Sequence, residues 1–171
     1  MYKLNHTKTV ALRANEIALN YSLTETEFFI VASAAWFHDV GHLFGPAAAH
    51  EEKSVIAMRT YMVKHGLDSG ILNSIEQCIL ATKLPQDPKS LPEEIVCDAD
   101  CYHLGTNEFY IINEQVKKEF ELRNNLPPVN WDESTVHLLE QHTYFTPYCQ
   151  ALLDAGKQKN IEFLRKKLNP I

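Results

Sequence analysis

The chain has 171 residues, 45% of them hydrophobic and 22% charged, with a formal net charge of -6 at pH 7. That length suits one domain with a full core. The negative balance argues against nucleic acid as the main partner, because phosphate backbones need clustered Lys and Arg and the only such cluster is the terminal "RKK". Four cysteines (Cys78, Cys97, Cys101, Cys149) without a C-x-x-C pair point to a reducing, cytoplasmic setting, and no apolar run nears the ~20 residues of a membrane span.

The apolar spacing is helical from end to end. Val10, Ala14, Ile17, Ala18 and Tyr21 share one face of a first helix. Thr24 with Glu27 three residues on forms a capping box that starts a second, "EFFIVASAAWFHD", apolar on nearly all sides and therefore the expected central helix. A Gly/Pro/Ala loop at 41–49 follows. "HEEKSVIAMRTYMVKHG" is the next helix, stopped by Gly66, and "SGILNSIEQCILATK" the one after, closed by a Pro-rich turn at 85–88. Ser90 with Glu93 is read as a cap for "LPEEIVCDADCYHLG", stopped by Gly105. A charged helix at about 107–124, one near 131–144 and a C-terminal pair from about 147 complete an all-α expectation of about eight helices, with no strand.

Chemistry concentrates in "AAWFHDVGHLFGPAAAHEEKS", residues 34–54. A carboxylate and an imidazole at the end of an apolar helix need a partner, since burying an unpaired charge is costly; a metal ion is one such partner. By themselves His38 and Asp39 also fit an ordinary helix end. With His6 at the start of the first helix and Asp100 inside an apolar one, two imidazoles and two carboxylates make a four-donor set. Its charge of about -2 neutralises a divalent ion, and its mixed N/O character suits a first-row metal.

The order H…HD…D, carried by "HTKTV", "AAWFHDVGH" and "DADCYHLG", resembles the HD-domain superfamily of metal-dependent phosphohydrolases. "HEEKS", "CILATKLPQDPKSLPEEIVCDAD" and "HTYFTPY" are similar to a branch of small bacterial HD-domain proteins, so the likeness runs over nearly the whole chain. It implies a single all-α HD-type domain over 1–171, with the metal site within 1–105 and the helices of 106–171 completing it. His6, His38, Asp39 and Asp100 become the implied ligands of one divalent ion (Mn, Fe, Co, Ni, Zn or Mg). Asp100 is chosen over Asp98 because the second aspartate of D-A-D is the family's usual ligand. The two carboxylates point about 200° apart on a helix, which leaves Asp98 to orient a ligand or to face solvent.

The implied activity is hydrolysis of a phosphate ester of a nucleotide or similar small phosphorylated molecule, monoester or diester. The alternatives are a regulatory domain that binds metal or nucleotide without turnover, and a di-iron oxygenase. Two-metal relatives carry a histidine near "ILATK"; here Thr82 and Lys83 stand in that segment and no histidine lies between 65 and 103, which argues for one ion. His6 lies closer to the start of the chain than the family's first ligand usually does, so a short preceding segment is expected to be missing or that helix to be less firmly anchored. A homo-oligomer is open.

The remaining residues have two readings each. His42 and His50 are candidates for proton transfer or phosphoryl contact, against a helix start at His50 whose Glu51 and Glu52 answer the dipole. Glu51 or Glu52 is a candidate base toward water. Lys83 is a rim cation toward phosphate or a solvated helix end. His142, Tyr144 and Tyr148 either close the pocket or pack a core. A zinc-protease reading of His38, His42 and His50 fails on spacing: the third position of H-E-x-x-H-x-x-G-x-x-H falls on Ala48, and Asp39 replaces Glu.

Overall fold

A computed structural model describes residues 2–45 and 48–169. All regular structure among them is helical: α1 (Tyr2–Ala18), α2 (Glu25–Phe37), α3 (His50–Met62), α4 (Ser69–Ala81), α5 (Leu91–Asp100), α6 (Phe109–Asn124), α7 (Trp131–Gln141) and α8 (Pro147–Leu168). Short 3₁₀ turns lie at Val40–Leu43, Val63–His65 and Tyr102–Gly105. The chain forms two compact units, Met1–Cys101 and Tyr102–Ile171. No helix of the described residues is long and apolar enough to cross a membrane.

In the first unit α2 packs on α1, α4 and α5, and α1 also packs on α5. The expected central position of α2 follows from its composition: Ile30, Val31, Ala34 and Ala35 are buried, so their side chains leave water on several neighbours at once. Val10, Ala14, Ile17 and Ala18 form the buried stripe of α1. The Thr24 capping box is complete, with the Glu27 amide donating to Thr24 Oγ1 at 3.2 Å and the Thr24 amide donating to Glu27 Oε2 at 2.8 Å.

Four local expectations change. Ser90 does not cap α5 through the backbone; its hydroxyl donates to Glu93 Oε1 at 2.9 Å. Helix α5 ends at Asp100 and a 3₁₀ turn carries the chain to Gly105. Helix α7 stops at Gln141, because the next residues turn extended at His142. The C-terminal pair is one helix of 22 residues. Gly156 inside α8 does not break it; a Cβ there would lie 1.9 Å from the Gly105 carbonyl, so this glycine serves a close backbone approach. Pro46 and Ala47 of the expected 41–49 loop lie outside the described residues.

In the second unit α7 and the Tyr102–Gly105 turn pack on α8. Tyr144 is buried, its hydroxyl reaching the Tyr102 carbonyl at 3.4 Å, and the His142 ring meets its edge at 4.7 Å. Lys157 donates to the His142 carbonyl at 2.6 Å and sits 5.1 Å from the Tyr144 ring centre. Both side chains are thus buried and held by contacts within this unit.

Candidate metal centre

Three mutually packed helices bring the sequence-distant acids and imidazoles together. His6 lies in the second turn of α1, His38 and Asp39 follow the last residue of α2, and Asp100 ends α5. The His6 Nε2–H donates to Asp100 Oδ1 at 3.0 Å, and His38 Nε2 is 3.6 Å from the same oxygen. Asp39 Oδ2 is 3.8 Å from His6 Nε2, and its Oδ1 is 3.8 Å from His38 Nε2. Donor atoms of His6, His38 and Asp39 all lie within 4.8 Å of one another.

His38 tests whether these residues suit a cation. Its Nδ1–H donates to the Ala35 carbonyl at 2.8 Å, one turn back in α2. That bond fixes the ring and aims Nε2 at the acids, the arrangement by which backbone carbonyls orient metal-binding imidazoles. Nε2 itself is buried and has no hydrogen-bond partner. A buried polar atom left so is costly, and a divalent ion among two imidazoles and two carboxylates would satisfy it. The residues fit the ion.

The electrostatics agree. Burial presses the His38 imidazole toward its neutral form, but Asp100 and Asp39 outweigh it and raise its pKa to about 9. Burial likewise opposes ionisation of Asp100, yet His38 and His6 hold its carboxyl well below the usual range. Asp39 is lowered against its own burial by His50, His38 and His6. Without an ion, a proton on His38 supplies positive charge that the carboxylates demand.

On the other side of Asp39 stand His42 and His50. Their Nε2 atoms lie 3.6 and 3.4 Å from Asp39 Oδ1, and their rings stack at 3.9 Å between centres. Burial holds His42 below the usual imidazole pKa. Glu51 is buried, its Oε2 3.2 Å from His50 Nδ1. The protease pattern finds no support here: α2 ends before His38, and His38 and His42 fall into different donor groups around Asp39.

Two residues that sequence reading undervalued set this geometry. The buried Ser54 hydroxyl donates to the His38 carbonyl at 2.6 Å and accepts from the Gly41 amide at 2.8 Å, tying the HD turn to α3. In the sequence Gly41 stands only as the first residue of the Gly/Pro/Ala loop at 41–49. A Cβ on it would sit 1.9 Å from the His50 carbonyl and 2.8 Å from the Ser54 nitrogen, so only glycine lets α3 approach this closely. The spacing of Ser54 four residues after His50 in "HEEKS" was the available signal. Ala49, just before His50, adopts φ 56°, a left-handed conformation costly for a residue with a Cβ. Gly41→Ala is expected to drive the turn from α3, costing about 2–3 kcal/mol as overpacking does and weakening metal binding at least about tenfold. Thermal melts and ion titration check both.

Lys83 is exposed and donates to Glu52 Oε1 at 2.6 Å. The Glu52 carboxylate raises the lysine pKa and is itself lowered by it. Asp98 is fully buried, which removes its reading as a surface acid. Cys78, Cys97 and Cys149 are buried and Cys101 partly so, none in a disulfide; burial pushes the Cys78 thiol up to about 12.

A family-model comparison matches residues 4–105, more than half of the chain, to the HD domain. No curated protein and no solved structure matches the chain. The matched stretch contains His6, His38, Asp39 and Asp100, in the order and surroundings just described. The chain belongs to the HD domain family.

Proposed function

We propose that this chain is a metal-dependent phosphohydrolase acting on a phosphate ester of a nucleotide or similar small phosphorylated molecule. The observation that carries the reading is the convergence of His6, Asp39 and Asp100 on the buried Nε2 of His38. These four residues would hold the ion, which supplies Lewis acidity toward phosphoryl oxygens and makes water more acidic when bound. HD-domain membership supports the reaction class, and the donor set supports a divalent cation.

The chain's own side chains supply the rest. His50 is a candidate to accept and return a proton: its Nε2 lies 3.4 Å from Asp39 Oδ1, and Glu51 Oε2 at 3.2 Å from Nδ1 orients the ring. His42, stacked on His50, is a candidate contact for a phosphoryl oxygen. Lys83 is held by Glu52, so any offset of phosphate charge by its ammonium requires that ion pair to open.

The test is a panel of nucleotide and sugar monoesters and of linear and cyclic diesters, assayed with Mn, Co, Ni and Mg added to chelator-stripped protein. Hydrolysis that depends on added ion and fails in Asp100→Ala is the expected result. Ion binding without turnover of any ester would favour the regulatory reading instead.

A further inference from the structure

Helix α6 is sparsely covered by its own chain. Of its 16 residues only Phe109 is buried, and it packs on the Tyr102–Gly105 turn. Phe109, Asn113, Val116 and Phe120 follow at i, i+4, i+7 and i+11, one stripe of a 3.6-residue helix. The stripe begins buried and runs out into water: Val116 is 38% and Phe120 43% exposed. Beside it α7 completes a groove of about 230 Å³, walled by Phe109, Val116, Trp131 and Leu138. Two polar groups are paired within that wall: Trp131 Nε1–H donates to Asn113 Oδ1 at 3.1 Å, and the Thr135 hydroxyl donates to the Trp131 carbonyl at 2.7 Å. The groove thus offers mainly apolar surface, and it is smaller than the ~300–1,000 Å³ of small-molecule sites. Its size suits an aliphatic side chain or two.

The same hairpin carries such side chains. Between α6 and α7, Leu126 is 68% and Val129 83% exposed. Asn125 and Asn130, left-handed at φ 52° and 53°, turn the chain at either end of this tip, and Pro127 and Pro128 restrict it between them. A tip ordered in advance loses little freedom on docking.

We propose that two copies of this chain pair through the α6–α7 hairpin, Leu126 and Val129 of each copy entering the groove of the other. A groove and a knob on one surface are self-complementary, as a two-fold interface requires. Charge favours a second copy over other partners: residues 109–131 carry three acids and three bases, in a chain of net charge -6. Two copies therefore do not repel there, and the tip, uncharged from 124 to 131, selects neither an acidic nor a basic partner. The pairing uses residues of the second unit alone and does not rest on the reading of the metal centre.

Sedimentation velocity over a concentration series tests this. The wild type is expected to dimerise, and Leu126→Asp/Val129→Asp to raise the dissociation constant more than about 100-fold, as loss of central apolar anchors does. Both side chains lie in water in the single chain, so the fold should stand; circular dichroism checks it, with Leu126→Ser/Val129→Ser as the milder pair. Ser134→Arg, which places a long side chain in the groove, is expected to weaken the dimer likewise. Mixing the Asp variant with Ser134→Arg restores one contact, the intact tip of the second in the intact groove of the first, so a mixed dimer tighter than either parent is expected. A wild-type monomer at about 100 μM overturns the proposal, as does a dimer that either variant leaves unchanged. A monomer that binds the apolar dye anilinonaphthalene sulfonate, and loses it in Ser134→Arg, gives the groove to a small molecule and also overturns it.

Discussion

Asp39→Ala is expected to lose bound metal and hydrolysis together, each by more than about 100-fold, beyond the 10–100-fold typical of residues that merely support a ligand. The magnitude follows from position. One carboxylate stands 3.8 Å from His6 and His38 and 3.4–3.6 Å from His50 and His42, so a single side chain meets four imidazoles. Its removal takes a negatively charged donor from beside both groups, and imidazoles alone hold a divalent ion less tightly. Asp39→Asn keeps the shape but not the charge, and should retain more structure than affinity. Elemental analysis beside ester turnover checks both variants; normal metal content with normal turnover in Asp39→Ala would remove this residue from the centre.

Ion-free protein is expected to lose stability between pH 6.5 and pH 9. His38 has its pKa raised in the folded state to about 9, from 6.5. Its stabilising contribution is therefore complete below about 6.5 and disappears as pH rises through 9. At 1.36 kcal/mol per pKa unit this is on the order of 3 kcal/mol, a fall of about 10 °C in Tm for a chain of this size. Asp100, lowered in the folded state, has the opposite sign: its contribution is present above the ordinary carboxylate range and is lost as pH falls through its depressed value. Both shifts describe one coupled cluster, so the contribution is counted once.

A bound ion reverses the alkaline limb. It competes with the His38 proton, so affinity rises as that proton is lost, up to about pH 9. Melting curves at pH 6.5 and 9, with chelator and with cobalt, should diverge: the chelated protein falls and the loaded protein holds or gains. A chelated protein whose Tm is flat or rising over that interval would show that no carboxylate pair is holding a proton on His38.

The sequence carried the donor order because its chemistry is local and costly. An acid and an imidazole beside an apolar helix, and Asp100 within another, stand out where a solvated charge is not expected. Thr24 and Glu27 were legible for a similar reason, since the box closes within four residues. What could not be read were contacts set by how closely two backbones meet. Gly41 against His50 and Gly156 against Gly105 look like helix breakers in a string of letters, and only packing shows them as points of close approach. The same holds for α8, read as two helices and found as one, and for Ser54, which bridges the HD turn and α3 with one hydroxyl. The position of Asp39 between two pairs of imidazoles depends on where the turn after α2 sends His42 and where α3 begins, and neither follows from spacing alone.

Anomalous diffraction at the metal's absorption edge, from crystals of protein purified without chelator, locates the ion itself. A peak within coordination distance of His38 Nε2, with His6, Asp39 and Asp100 around it, is the expected result. Crystals of metal-replete protein with no peak among these four residues would contradict the assignment of this cluster as the metal centre.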